Sequence, residues 1–162
     1  MQEFKIYFDE ILDRKSLPKI ELELLTKAEE ILKTAYAPYS KFNVGASLLL
    51  EDGSYVVGSN QENASFPCGI CAERVALFAT KANNPHLKIK KIAITTKSEE
   101  FNIGEPIAPC GMCRQVLLEY EEQQKEPIEI LLFNETKILK FKKAKDLLPL
   151  HFSEDRLKKK LT

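Results

Sequence analysis

Hydrophobic and polar residues follow two different periods along the chain. Over residues 17–35, leucine, isoleucine and alanine recur near a helical period between glutamates and lysines, which predicts an amphipathic helix that ends before Pro38. The apolar run 44–50 is followed by the turn dipeptide Asp52-Gly53 and a second apolar run, 55–58. This pattern predicts a β-hairpin.

The second half of the chain alternates between predicted helices and strands. We predict one helix from Cys71 to Ala82, which stops at Asn83-Asn84-Pro85, and another from Cys110 to about Glu122. The order helix, strand, strand, helix, strand, helix, strand, strand is typical of an α/β protein. It predicts a mixed β-sheet with helices on both faces, a three-layer α/β/α fold. The later strands are predicted over 88–96, 128–133 and 137–141, the last antiparallel to its predecessor.

Composition and charge narrow the class of protein. Of 162 residues, 44% are hydrophobic and 30% charged, so neither a disordered nor a fibrous class fits. Lysine and arginine total 24, as do aspartate and glutamate, which argues against a protein that mainly holds nucleic acid. No apolar run approaches the ~20 residues that span a bilayer. The first twenty residues lack the apolar core of a secretory signal, so we expect a cytoplasmic protein.

Four cysteines form two C-x-x-C pairs, Cys68 with Cys71 and Cys110 with Cys113. Taken alone, this pattern fits a structural zinc site with four thiolates. A catalytic zinc site instead needs three protein ligands, an open position for water and a nearby carboxylate that does not bind the metal. Cys71, Cys110 and Cys113 supply three ligands, and Glu73 supplies the carboxylate. The sequence context favours the catalytic site and leaves the four-thiolate site open.

The predicted helix starts affect the charge of this site. Cys71 opens one helix, and Cys110 and Cys113 lie in the first turn of the other, where helix N-termini stabilise thiolates. Three thiolates make a zinc centre net negative, so we expect a cation nearby to offset part of that charge. Arg74 is the first candidate and Arg114 the second.

Cys71-Ala72-Glu73 followed by Pro109-Cys110-Gly111-Met112-Cys113 matches the three-cysteine variant of the zinc deaminase signature. The wider chain resembles the cytidine deaminases, zinc-dependent nucleoside deaminases. Residues 37–46 resemble the first signature block of that family, residues 58–64 its nucleoside-binding block, and residues 147–152 its closing Leu-Leu-Pro segment. The resemblance runs from about residue 17 to residue 152.

The resemblance implies hydrolytic deamination of cytidine and 2′-deoxycytidine to the uridine nucleosides and ammonia, a reaction of pyrimidine salvage. It implies one zinc ion per chain, held by the three cysteines, with Glu73 moving protons. Asn60 and Glu62 match the nucleoside-binding pair, and Phe42 matches the aromatic residue that packs on the base. Backbone groups near Ala72 are expected at the pyrimidine edge.

The resemblance also implies a homotetramer whose active sites are completed by neighbouring subunits. Phe152 and the loop 60–67 are candidates for contact across subunits. It implies neither a nucleic-acid nor a membrane partner. We expect a single deaminase domain at 17–152, with an N-terminal extension at 1–16 and a basic C-terminal tail at 153–162.

Cys68 departs from the resemblance, because it adds a fourth cysteine. We expect it to be a free thiol that packs like a small apolar group, and we expect surface or structural roles for His86 and His151. One alternative is a deaminase of another aminated base or nucleoside on the same fold, such as the blasticidin type. The other is a non-enzymatic zinc module with four thiolates.

Overall fold

The computed structural model describes residue 1 and residues 3–153, so the predicted basic tail lies outside the described residues except for Ser153. A six-stranded sheet carries helices on both faces. The helices are α1 (Lys19–Ile31), α2 (Ala72–Asn83) and α3 (Gly111–Gln124). The strands are β1 (Asp9–Ile11), β2 (Phe42–Leu50), β3 (Tyr55–Ser59), β4 (Ile89–Ser98), β5 (Glu129–Phe133) and β6 (Ile138–Phe141).

The strands lie in the order β1-β6-β5-β4-β2-β3. β4 and β5 are parallel because the crossover through α3 joins them, and the other neighbouring pairs are antiparallel. The predicted mixed sheet, the hairpin of β2 and β3, and the antiparallel return of β6 are therefore confirmed.

Side-chain alternation in the strands separates two hydrophobic clusters. On one face, α1 packs against alternate residues of β2, β4 and β5, among them Leu49, Ala93 and Leu131. On the other face, α2 and α3 pack against Leu48, Ile92 and Ile130. Successive residues of a strand point to opposite faces, so the central strands are covered on both sides, which confirms the three-layer arrangement.

Gly58 lets α2 approach the sheet closely. A Cβ atom at this position would lie 2.5 Å from the carbonyl oxygen of Ala72 and 2.7 Å from the backbone nitrogen of Ala76. A side chain therefore has no room between β3 and the first turn of α2. This contact sets the position of the turn that carries Cys71 and Glu73.

The N-terminal extension contributes a strand that the sequence pattern did not predict. β1 pairs with β6, with Asp9 opposite Lys140 and Ile11 opposite Ile138. A strand of three residues, two of them acidic, is too short to show an alternating pattern. Within the described part of the chain, no helix is both long and apolar enough to cross a membrane.

Candidate active site

Three cysteine sulfurs meet where two helices begin. Cys71 is the N-cap of α2, Cys110 is the N-cap of α3, and Cys113 lies in the first turn of α3. The three Sγ atoms lie within 4.8 Å of one another, with 3.9 Å from Cys71 to Cys110 and 3.5 Å from Cys110 to Cys113. β3 and β4 run in the same direction, so the helices that follow them begin at the same end of the sheet.

These sulfurs fit a zinc ion. Three sulfurs at about 2.3 Å from a tetrahedral zinc lie about 3.8 Å apart, and the two observed distances fall on either side of that value. None of the three cysteines is in a disulfide. Zinc bound by three thiolates keeps a fourth position open, as a catalytic site requires.

Cys68 stands apart from this cluster. Among the described residues, the group that could hold a metal ion contains Cys71, Cys110 and Cys113 and not Cys68. Cys68 ends the short 3₁₀ helix Phe66–Cys68 as a free thiol. It is exposed, so the expectation that it packs like a small apolar group is wrong.

The negative charge of the cluster is unevenly shared. A hydrogen bond from Cys113 and the guanidinium of Arg74 lower the pKa of Cys71 to about 5. The same bond, together with burial, raises the pKa of Cys113. Nη2 of Arg74 lies 3.9 Å from Cys71 Sγ. Arg74 is therefore placed where a cation offsets thiolate charge.

Glu73 is the second residue of α2 and is only 4% exposed. Burial raises the pKa of this carboxyl group, and the negative charge of Cys71 raises it further. A carboxyl group with a raised pKa beside a cavity holds a proton more readily than an ordinary carboxyl group, which suits a residue that accepts and returns a proton.

A cavity of about 430 Å³ lies against the cysteine cluster, a volume within the range of small-molecule sites. Phe42, Asn60, Glu62, Arg74 and Glu73 line it together with Cys71 and Cys110. The sequence interpretation missed Ile94, Thr96, Ile107 and Met112, which also line it. The period-two alternation of β4 could have placed Ile94 and Thr96 on the α2 side, whereas Ile107 lies in a loop without such a pattern.

Asn60 and Glu62 order the loop and strand that border the cavity. The Asn60 side chain accepts from the backbone N–H of Val44 at 2.8 Å and donates to the Phe42 carbonyl at 2.8 Å. Glu62 Oε2 accepts from the N–H groups of Tyr39 and Ser40, at 2.9 and 3.3 Å. A side-chain hydrogen bond from Ser40 is the largest effect that lowers the pKa of Glu62, so this carboxyl group is ionised at neutral pH.

Other sequence-predicted residues lie outside the cavity lining. Ala72 is fully buried in the core, so its backbone is the part that could contact a ligand. Phe152 is 67% exposed, and its carbonyl accepts from Gln115 Nε2 at 2.9 Å. His151 packs beside the Leu148 carbonyl, and its Nε2 lies 3.3 Å from Glu122 Oε1. These contacts agree with the structural role expected for it.

Arg114 does not face the thiolates as the second cation. Its Nε donates to the carbonyl of Pro109 at 2.7 Å, and its Nη1 donates to the carbonyl of Leu147 at 3.1 Å. Contacts of this kind depend on which segments the fold brings together, so a charge argument from sequence could not identify them.

Comparisons of sequence and of structure find similar proteins in one family. A sequence family described as the cytidine and deoxycytidylate deaminase zinc-binding region matches residues 18–125. The cytidine deaminase of Halalkalibacterium halodurans is 42% identical over 96 residues, which cover 59% of this chain and 68% of the relative. That of Sporosarcina psychrophila is 39% identical over 98 residues, covering 60% and 68%. The crystal structure of the Burkholderia pseudomallei cytidine deaminase aligns with a TM-score of 0.69 at 39% identity, covering 80% of this chain and 97% of that one.

Proposed function

The chain belongs to the cytidine and deoxycytidylate deaminase family, and we propose that it hydrolyses cytidine and 2′-deoxycytidine to the uridine nucleosides and ammonia. The observation that carries this proposal is the meeting of three cysteine sulfurs and the buried Glu73 carboxyl group at one cavity. A four-thiolate module does not fit, since Cys68 is outside the cluster. A deaminase of another base is disfavoured, because the relatives described above are cytidine deaminases.

In this reaction, water adds to C4 of the pyrimidine ring, and the bond from C4 to the exocyclic amine breaks. Zinc held by Cys71, Cys110 and Cys113 supplies Lewis-acid activation of water when it is bound. Glu73 accepts one proton from the attacking water and passes it to ring N3. It then accepts the second proton, from the hydroxyl group now bonded to C4, and gives it to the amine, so that ammonia leaves and the C4 carbonyl of the uridine nucleoside forms. The raised pKa of Glu73 suits both the accepting and the donating steps.

The nucleoside is oriented by residues around the cavity. The ring of Phe42, stacked on Phe101 with centroids 6.1 Å apart, packs on the base. The first N–H groups of a helix lack intrahelical acceptors, so the backbone at Ala72 can contact the pyrimidine edge. The Asn60 amide and the Glu62 carboxylate bind the ribose hydroxyl groups with the donor and acceptor sites that remain to them.

Arg74 tunes the charge of the site. Its guanidinium lies beside Cys71, where one positive charge offsets part of the excess negative charge of three thiolates on a divalent ion. This leaves the centre better able to polarise water than three uncompensated thiolates would.

A steady-state ultraviolet assay on cytidine and 2′-deoxycytidine tests the function. We expect both nucleosides to be deaminated, and activity to be lost on removal of zinc by a chelator and restored by added zinc. Blasticidin S, cytosine and deoxycytidylate serve as comparison substrates. Faster turnover of one of them would contradict the nucleoside assignment.

We also propose a homotetramer in which exposed Phe152 and the loop 60–67 reach a neighbouring active site. Support comes from the exposure of Phe152 and of residues 63–67 of this loop, which do not line the cavity of their own chain, whereas Asn60 and Glu62 at the start of the loop do. Light scattering coupled to size-exclusion chromatography should give four times the 18.5 kDa mass of the chain. A monomer that is fully active would contradict this proposal.

A cytoplasmic location and a role in pyrimidine salvage complete the proposal. A site that needs three reduced thiols suits a reducing compartment, and a free nucleoside substrate suits the reuse of nucleosides. The deaminase domain corresponds to residues 17–152, with the extension attached through β1. Fractionation that places the protein outside the cytoplasm would contradict this location.

A further inference from the structure

Arg114 connects the backbone before Cys110 to the C-terminal part of the chain. Its Nε donates to the Pro109 carbonyl at 2.7 Å, and its Nη1 donates to the Leu147 carbonyl at 3.1 Å. Both hydrogen bonds come from a charged donor, which makes them stronger than bonds between neutral groups. One side chain thus holds two segments that are 38 positions apart in sequence.

The Leu147 end of this connection is itself anchored. Leu147 closes the 3₁₀ helix Ala144–Leu147, whose first N–H groups are bound by the buried carboxylate of Glu121. Glu121 Oε2 accepts from Ala144 N at 2.6 Å, and Oε1 accepts from Lys145 N at 3.1 Å. Since Glu121 and Arg114 both belong to α3, the same helix fixes both ends of this short segment.

The Pro109 end bears on the metal site. Cys110 is the N-cap of α3 and has an extended backbone, with φ −63° and ψ 165°, so the preceding peptide influences the direction of its side chain. Pro109 is buried and has no N–H group. Its carbonyl is therefore the backbone group of this residue that can form a hydrogen bond. Arg114 binds that carbonyl.

We propose that Arg114 is a positioning residue that fixes the Pro109–Cys110 peptide and thereby holds Cys110 Sγ in place for zinc. The inference rests on the proposed function, in that it takes Cys110 as a zinc ligand. It differs from a charge role, because the guanidinium is directed at carbonyl oxygens while Arg74 lies beside the Cys71 sulfur.

Two substitutions separate positioning from charge. Arg114→Lys keeps the positive charge but has one ammonium group in place of the planar guanidinium that bridges two carbonyls. Arg114→Gln removes the charge and keeps a donor. If Arg114 acts by position, both variants should bind zinc roughly 10-fold or more weakly, the usual cost of losing support behind a metal ligand. If it acts by charge, the lysine variant should keep the wild-type affinity.

The measurement is competition for zinc between the full-length protein and a chromogenic chelator, with the rate of zinc release as a second readout. Gln115→Leu is the matched control, since Gln115 also ties α3 to the C-terminal segment, through the Phe152 carbonyl, but does not bond to Pro109. We expect it to stay within about twofold of the wild-type zinc affinity. Release is measured from zinc-loaded protein, so a variant that unfolds without zinc still gives a result.

The inference would be overturned if Arg114→Lys bound and released zinc as the wild type does. It would also be overturned if Gln115→Leu lost as much zinc affinity as the Arg114 variants. If Arg114 has a purely structural role, its substitution should lower the melting temperature of the zinc-free protein and leave the rate of zinc release unchanged. That result would also overturn the inference. A wild-type protein that binds zinc but does not deaminate cytidine would overturn the proposed function and leave the Arg114 result standing. An active wild-type enzyme with unchanged zinc release in both Arg114 variants would overturn the inference alone.

Discussion

At the scale of single residues, Glu73 combines a position in the first turn of α2 with near-complete burial. Glu73→Gln keeps the volume of the side chain but cannot accept or return a proton. We expect at least a 100-fold loss of kcat, in line with the contribution of general acid-base catalysis, with zinc content unchanged. The ultraviolet assay and metal analysis on the same sample check this. Activity within tenfold of the wild type would contradict the proton-transfer role.

The two cysteines of the first C-x-x-C pair should respond in opposite ways. Cys68 is exposed and outside the cluster, so Cys68→Ser should keep both zinc and deamination close to the wild type. Cys71→Ser removes a sulfur of the cluster and should lose both. Metal analysis of the two purified variants distinguishes them. Loss of zinc in Cys68→Ser would indicate a closed four-thiolate site.

The contrast between Cys71 and Arg114 shows which residue roles could be predicted from sequence. The spacing of Cys71, Glu73, Cys110 and Cys113 follows from two helix starts, and local pattern locates a helix start well. The partners of Arg114 lie on a loop and on a distant 3₁₀ helix. Their proximity is a result of the fold, and the sequence supports no more than a guess based on charge.

At the scale of elements, Glu21 attaches α1 to the sheet. Its Oε1 accepts from Lys91 on β4 at 2.8 Å and from Lys140 on β6 at 2.7 Å, and the side chain is buried. Burial by itself would raise the pKa of Glu21, but the hydrogen bonds from Lys140 and Lys91 outweigh it, so the pKa is lowered.

Because the pKa of Glu21 is lower in the folded than in the unfolded state, its ionised form stabilises the folded protein at pH values above the unfolded-state pKa. This contribution is lost as the pH falls through the folded-state pKa. Glu21→Gln should therefore reduce the free energy of unfolding at pH 7 by about 1–3 kcal/mol. The difference from the wild type should shrink below about pH 4. Urea unfolding at several pH values measures it.

The exposed Glu23 on the same helix, 3.9 Å from Lys27, gives a matched control. Glu23→Gln should change the free energy of unfolding by less than about 0.5 kcal/mol at any of these pH values. If the free energy of unfolding of Glu21→Gln differed from that of the wild type by the same amount at low pH, the shape of the side chain, and not its charge, would account for the loss.

Elements with a clear period were predicted with small shifts at their ends. The first helix begins at Lys19, after Pro18 as N-cap, and its last turn continues as the 3₁₀ helix Leu32–Thr34. β1 was not predicted, because its pairing with β6 depends on a partner almost 130 positions away.

At the scale of the whole molecule, β1 covers one edge of the sheet. It pairs along β6, and the ring of Phe8 packs on Phe141 with centroids 5.2 Å apart. Deleting residues 1–12 should expose the outer edge of β6 and lower the free energy of unfolding by about 1–3 kcal/mol. Exposed strand edges promote association, so light scattering of the variant should rise on warming.

Deleting residues 1–5 is the control, because it leaves both β1 and Phe8 in place. This shorter deletion should match the full chain in melting temperature and in scattering. The longer deletion should retain kcat per folded molecule, because none of the described residues of the extension lines the cavity. A melting temperature unchanged by the longer deletion would show that β1 contributes nothing to stability.

The pairing of β1 with β6 also orders events during protein synthesis. A ribosome makes residues 9–11 more than a hundred peptide bonds before residues 138–141, so the strand made first is added to the sheet near the end. Until β6 leaves the exit tunnel, Phe8 has no Phe141 to pack against, and the apolar side chains of the extension stay in contact with water. A nascent chain that stalls after the metal ligands have been translated can therefore contain every zinc-binding cysteine and still have an unfinished sheet.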